Sequence, residues 1–178
     1  MERLQLALIG CGGMAGAHVR GLEELWRAGI RDIQVVACCD VVEESAAQRA
    51  AEIAKFQRRK PAVYTDVGKM LARAKGIEAV DICALHSQHH IIAVSCLEAG
   101  KHVIIEKPLA TDARASERVF NAIDQNGIDA VVGYTNRFRR RFLAVKEKLE
   151  TGQIGDVSSV IARAFMNRMV PIATVQRT

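Results

Sequence analysis

No apolar run in the sequence approaches the roughly 20 residues that a helix needs to cross a bilayer. The opening Met-Glu-Arg-Leu-Gln is charged and unlike a secretory signal. Both absences lead to the expectation of a soluble, cytoplasmic protein with no membrane partner. C-x-x-C spacing is missing too: the five cysteines, at 11, 38, 39, 83 and 96, are odd in number and lie in apolar segments or in a glycine turn. That pattern fits buried free thiols in a reducing compartment better than a disulfide framework. Internal repeats, low-complexity segments and long linkers are also lacking. What remains, for 178 residues, is one domain of ordinary size or one domain plus a fragment. With 49% hydrophobic and 25% charged residues, such a chain can bury a sizeable core.

The formal net charge of +5 raises nucleic-acid binding, most densely at Arg137-Phe138-Arg139-Arg140-Arg141 followed by Lys146 and Lys148. Acids are dispersed through the rest of the chain, however, and neither zinc-finger spacing nor an RNP-like aromatic motif is present. A modest basic balance equally suits an anionic small molecule, so no nucleic-acid partner is expected.

What the sequence does contain is concentrated in residues 4–40. The apolar run Leu4 to Ile9 reads as a buried strand and breaks into Gly10-Cys11-Gly12-Gly13-Met14-Ala15. A helical pattern follows to about Gly29, then a second apolar run, Ile33 to Cys39, stops at Asp40. Strand, G-x-G-x-x-A, helix, strand and terminal acid form the layout of a dinucleotide-binding βαβ unit. In that layout Gly10 permits the tight turn and Gly12 lets a pyrophosphate approach the backbone. Ala15 keeps helix and strand close, and the helix amino terminus offers free N–H groups to phosphate. Asp40 would accept hydrogen bonds from the adenosine ribose and repel a 2′-phosphate, which favours NAD over NADP. No arginine follows Asp40, and Glu43 and Glu44 add further acid.

The same alternation continues downstream. Glu43 to Phe56 reads as a helix, Ala62 to Thr65 as a short strand, Asp66 to Ala74 as a helix, and Ala79 to Leu85 as a strand carrying one acid. Gln88 to Ala99 reads as a helix closed by Gly100, and His102 to Ile105 as a strand. A helix capped by Thr111 or Asp112 then runs to Asn126, and Asp129 to Val132 is strand-like. The expected fold is α/β, a doubly wound parallel sheet of the Rossmann type, with a dinucleotide-binding domain over 1–135. Residues 136–178 differ: a basic helix from Phe138 to Glu150 and a strand from Asp156 to Met166 that has no partner strand after it. A lone strand cannot bury a face, so this segment reads as the start of a second, incomplete α/β domain.

Between Leu97 and Ala110 the chain reads Leu-Glu-Ala-Gly-Lys-His-Val-Ile-Ile-Glu-Lys-Pro-Leu-Ala. Together with GCGGMA at 10–15, Asp40, GYTNRF at 133–138 and the G-x-I-G of Gly152 to Gly155, this resembles the amino-terminal half of the Gfo/Idh/MocA oxidoreductases. The resemblance implies NAD(P)-dependent hydride transfer to or from a sugar, inositol or related polyol. It also implies a carboxy-terminal substrate domain and a homo-oligomeric parent protein. Lys107 would be the catalytic residue, at the nicotinamide ring and the substrate hydroxyl, where an ammonium stabilises developing alkoxide. Glu106 would contact the nicotinamide ribose, with Pro108 beside it. By residue type alone, Lys107 would read as a surface lysine before a turn-forming proline; the surrounding motif is what favours the catalytic role.

The resemblance puts Ala84, Leu85, His86 and His89 beside the cofactor, although the usual T-P-x-x-x-H pattern there is kept only at His89. His86, His89 and His90 invite a metal reading, but 89 and 90 are adjacent and no carboxylate completes a ligand set, so no metal is expected. Asn136 and Arg137 correspond to a polar pair near nicotinamide and substrate; the residue types fit a helix start with a solvent-facing arginine as well. His18, on the first helix, reads as a packing or solvent contact. A dinucleotide-binding module without turnover is the competing function, and a truncated product with no independent role is a third.

Overall fold

The computed structural model describes residues 3–163 and Phe165. Residues up to Gly133 form one compact unit and those from Tyr134 a second. The first begins with strand β1 (Leu4–Ile9), helix α1 (Gly13–Arg27), β2 (Ile33–Cys39), α2 (Glu43–Gln57) and β3 (Ala62–Tyr64). It continues with α3 (Val67–Arg73), β4 (Ala79–Ile82), a 3-10 turn (His86–Gln88) and α4 (His89–Glu98). The unit closes with β5 (His102–Ile105), α5 (Ala113–Asn126) and β6 (Ala130–Val132). All six strands are parallel, in the order β3-β2-β1-β4-β5-β6. The chain therefore winds outward from β1 to one edge, returns to β4 beside β1, and winds to the other edge. This is the doubly wound Rossmann arrangement.

The period-2 alternation of the strands sorts the core into two layers. Leu6, Leu8 and Cys38 face Ala15 and Val19 of α1 and Ala46, Ala50 and Ile53 of α2. Ala7, Ile9, Ala37 and Cys39 face the other way, with Met70 of α3, Ala93 and Leu97 of α4 and Val119 of α5. Small residues at the helix positions, alanine above all, let the helices lie close on the sheet. On the far half of the sheet Val103 and Ile105 are buried, whereas Ile104 and Val131 remain 42% and 52% exposed.

Local chemistry sets several boundaries. Asp66 caps α3 by accepting from the Lys69 N–H (2.6 Å), and Asp112 rather than Thr111 caps α5 by accepting from the Ala115 N–H (2.8 Å). The strand expected over 79–85 is shorter: β4 ends at Ile82, and Cys83 donates its N–H back to the Ile9 carbonyl (2.7 Å) as the chain turns away. In the second unit, a 3-10 turn (Thr135–Phe138) precedes α6 (Arg140–Glu150), which buries none of its residues. The strand expected over 156–166 is not formed across 156–163, where the backbone is irregular and exposed; Met166 lies outside the described residues. Among the described residues no strand lies beside it to take its ladder hydrogen bonds, which the alternating pattern needs.

A side chain replaces a strand at one place. Register between β1 and β2 slips by one residue between Leu6 and Ala7, and β3 pairs with β2 only from Ala37 onward. The Val35 backbone is served instead by the buried Gln57 amide, which accepts from the Val35 N–H (2.8 Å) and donates to its carbonyl (3.1 Å). Replacing Gln57 with alanine strands two buried backbone groups. Urea unfolding is expected to show a loss of about 2–4 kcal/mol, from two hydrogen bonds and their desolvation.

Candidate functional site

At the carboxyl ends of β1 and β4 the connections leave toward opposite edges, and a crevice opens between them. Gly10 is what allows the two loops to meet. It adopts φ +80°, donates its N–H to the Cys39 carbonyl (2.8 Å), and a Cβ built on it would lie 2.5 Å from the Ala84 nitrogen. Gly12 differs: its φ is −77°, and a Cβ there would meet no protein atom within 4 Å. Protein packing gives no reason for glycine at 12, and its backbone is open to approach from outside. Gly12, Gly13 and Met14 are exposed at the start of α1, which no side chain caps, while Ala15 is fully buried against the sheet. Such an end, with free N–H groups and the positive pole of the helix, suits an anion.

Cys11, grouped with these residues in the sequence reading, is turned into the protein. Its side chain is buried, and its N–H donates to Asp40 Oδ2 (2.7 Å) while its carbonyl accepts from Arg49 Nε (3.1 Å). Both polar backbone groups of Cys11 thus have partners within the protein. A side-chain hydrogen bond with Cys38 and burial push its thiol far above the ordinary range. Asp40 holds the Cys11 N–H with one oxygen and the Val42 N–H (2.9 Å) with the other, and it remains half-buried. A carboxylate has about four acceptor sites, so Asp40 can brace the glycine turn and still receive a ribose hydroxyl.

The loops after β4 and β5 form the other wall. Leu85 is half exposed and Ala84 and His86 are partly so. Burial, then the nearby His89 and Lys107, pull the His86 pKa below its usual value. His89 is fully buried, with Nδ1 2.6 Å from the Pro108 carbonyl and Nε2 3.0 Å from the Ala84 carbonyl. A side chain closed off in this way clasps the two loops to each other and has no surface to offer a cofactor. Lys107 stands two residues past the end of β5 and is exposed, and the Lys107–Pro108 peptide is cis. Asn136 and Arg137 belong to the second unit, on its exposed 3-10 turn.

Beneath Lys107 lies a cluster that sequence reasoning missed. His18 Nδ1 is 2.8 Å from Asp81 Oδ2 and its Nε2 is 3.1 Å from Glu106 Oε1. Both carboxylates are buried. Glu106 is thus turned inward, and its second oxygen accepts from the Lys107 N–H (3.1 Å). The Cys83 thiol completes the cluster, donating to Asp81 Oδ1 (3.6 Å). His18, Asp81 and Cys83 have metal-like spacing, but a ring donating through both nitrogens has no lone pair for a cation. The hydrogen bond to Asp81 raises the His18 pKa, partly opposed by burial and helped by the charge of Asp81 and by Glu106, to about 9. The one visible sign in the sequence was the acid inside an otherwise apolar strand.

Comparison with known proteins agrees with this geometry. Residues 4–134 match the Gfo/Idh/MocA oxidoreductase family, NAD-binding Rossmann fold. The chain belongs to that family. An inositol 2-dehydrogenase of Salmonella typhimurium is 31% identical over 169 residues, covering 94% of this chain and 48% of its own length. Inositol 2-dehydrogenase 2 of Saccharopolyspora erythraea is 35% identical over 153 residues, or 85% of this chain and 42% of the relative. Among solved structures, scyllo-inositol dehydrogenase from Lactobacillus casei with bound NAD(H) and scyllo-inositol superposes with a TM-score of 0.77 at 25% identity. That match covers 88% of this chain and 44% of the other. The chain thus spans about half the length of the curated relatives it matches. In this Gfo/Idh/MocA domain the glycine turn, Asp40 and the Glu106-Lys107-Pro108 corner all stand at the carboxyl edge of one sheet.

Two measurements check the geometry. Gly10→Ala is expected to lose about 2–4 kcal/mol of stability in urea, since it combines a left-handed φ with a backbone clash. Gly12→Ala should lose about 1 kcal/mol or less. For His18 the folded-state pKa is raised, so its contribution is complete below the unfolded value of about 6.5 and lost as pH rises through about 9. Unfolding free energy should therefore fall across that window, and His18→Gln should flatten the fall.

Proposed function

We propose that this chain supplies the cofactor-binding half of an NAD-dependent oxidoreductase. It moves a hydride between nicotinamide and a hydroxyl-bearing carbon of an inositol, sugar or related polyol. One observation carries the reading: the ends of β1, β2 and β5 bring an unobstructed Gly12, a braced Asp40 and an exposed Lys107 to the same edge of the sheet. The diphosphate would lie across Gly12, Gly13 and Met14, the adenosine ribose on Asp40, and the nicotinamide toward Lys107. NAD supplies the hydride acceptor; the chain's residues bind and orient it. Asp40 disfavours a 2′-phosphate by charge and occupies the position a cationic partner for NADP would need. In the oxidative direction the substrate hydroxyl would give its proton to solvent, the Lys107 ammonium would hydrogen-bond and stabilise the alkoxide so formed, and that oxygen would become the carbonyl as hydride passes to the nicotinamide. By the family resemblance, Asn136 and Arg137 are further candidates for contact with nicotinamide and substrate.

The polyol assignment draws on the relatives, which are inositol dehydrogenases by name. A second wall for the substrate is assigned to a further domain that begins near Asn136. Its support is that α6 leaves Phe142, Leu143 and Val145 about half exposed, as a helix awaiting a partner does. The second reading, dinucleotide binding without turnover, is favoured for these residues alone by their span of 48% of the Salmonella relative. Hydride transfer needs substrate held in contact with the ring.

Calorimetric titration with NAD and NADP is expected to show tighter NAD binding, weakened by Gly12→Ala; equal or tighter NADP binding would overturn the assignment to Asp40. NADH formation from myo-inositol, scyllo-inositol and a sugar panel tests the chemistry. In the active protein Lys107→Ala should lower turnover on the order of a hundredfold with NAD affinity little changed. An alanine variant as fast as the original would remove Lys107 from the mechanism. Binding without turnover by the 178-residue chain would assign the second reading to it.

A further inference from the structure

We propose that His18 is a positioning residue: through Glu106 it fixes the main chain at Lys107 and keeps the Glu106 carboxylate away from the Lys107 ammonium, leaving that ammonium unpaired for substrate. The second half rests on the reading of Lys107 given above; the first stands on geometry alone. Glu106 and Lys107 are adjacent, and a carboxylate beside an exposed lysine ordinarily neutralises it. Here the carboxylate is withdrawn into the protein. Glu106 is 7% exposed, with Oε1 on His18 Nε2 (3.1 Å) and Oε2 on the Lys107 N–H (3.1 Å). The slot it enters is made by an absence of side chain across the sheet, since a Cβ on Gly133 would stand 3.3 Å from Oε1.

His18 is the group of that slot that carries a compensating cation. Its ring is gripped on the other side by buried Asp81 (2.8 Å), so it cannot follow Glu106 if that side chain swings out. The other titratable group facing the ring is the Cys83 thiol, 3.5 Å from Nδ1 and held neutral by burial and by the charge of Asp81. Two buried carboxylates with no cation between them are costly, and one must take up a proton or leave. Asp81 is within a central strand, between β1 and β5; Glu106 is just beyond the end of β5 and free to leave. Loss of His18 therefore releases Glu106 toward solvent and Lys107. The Lys107 amide loses its acceptor at the same time.

Site-resolved hydrogen exchange of the Lys107 amide reads the first step without any cofactor. In His18→Gln, which keeps a polar side chain but no cation, exchange at Lys107 is expected to quicken roughly ten- to hundredfold, the loss of one hydrogen bond to a charged acceptor. Amides in α2 and β2, remote from the cluster, should keep their protection. His18→Lys, which restores a cation, should recover most of it. Glu106→Gln in the original background should quicken Lys107 as well, and adding it to His18→Gln should restore global stability without restoring Lys107 protection. Lys107 exchange within twofold of the original in His18→Gln would overturn the proposal. So would equal loss of protection throughout the sheet, which would mark His18 as a packing residue only; Glu106→Gln then serves as the independent check in a chain that keeps His18. The NAD titration separates the two readings: an original chain that exchanges as expected yet fails to bind NAD sinks the proposed function and leaves the His18–Glu106 linkage standing.

Discussion

The structure depends on how closely two backbones can pass at the centre of the sheet. β1 and β4 are neighbours, and the loops that leave them must diverge from nearly one point. A Cβ at Gly10 would lie 2.5 Å from the Ala84 nitrogen, so the crossing exists only because position 10 has no side chain. Everything that defines the crevice is referred to this crossing. The turn carrying Gly12 starts from it, Asp40 ties that turn to β2 through the Cys11 N–H, and the β4 loop is tied to the β5 loop through His89. Each wall of the crevice is thus braced by a polar contact from a neighbouring element, Asp40 after β2 and His89 at the start of α4.

Those braces are of two kinds. Asp40, Gln57 and His89 satisfy backbone groups that no strand or helix reaches, and each completes a job the ladder leaves undone. The His18 cluster is different, because it buries two carboxylates beside one imidazole where packed apolar residues would fold as well. That charge sits directly beside the main chain of an exposed lysine, through the Lys107 N–H that Glu106 accepts from.

Much of this was readable in the sequence wherever one local signal dominates. β1 and β2 have the expected limits because their apolar runs are bounded by glycine and by Asp40, and α5 is delimited by Asp112 and Gly127. The shorter β4 was not readable, since Cys83, Ala84 and Leu85 are as apolar as the strand they follow; the departure of the chain to the other edge ends the ladder. The strand expected from Asp156 failed across 156–163 because alternation specifies a face only when there is something to face. Within the site, exposure separated Gly12 and Lys107 from Cys11 and His89, which share their motifs but point inward. His18, Asp81 and Glu106 lie 63 and 88 positions apart in pairs with His18, and no window of sequence joins them.

The five thiols give the fold an internal clock. Only a thiolate reacts rapidly with alkylating reagents, and burial holds Cys39 and Cys96 up to about 12, with Cys11 and Cys83 higher still. Four of the five are also out of reach in the folded chain. Each therefore reports the moment its own surroundings come apart. Cys11 sits in the glycine turn, Cys38 and Cys39 point to opposite faces of β2, Cys83 closes β4 and Cys96 lies in α4. Timed labelling followed by mass mapping would thus give the order in which turn, sheet faces and helix open, without any engineered probe. A ligand seated in the crevice would slow the Cys11 and Cys83 clocks first.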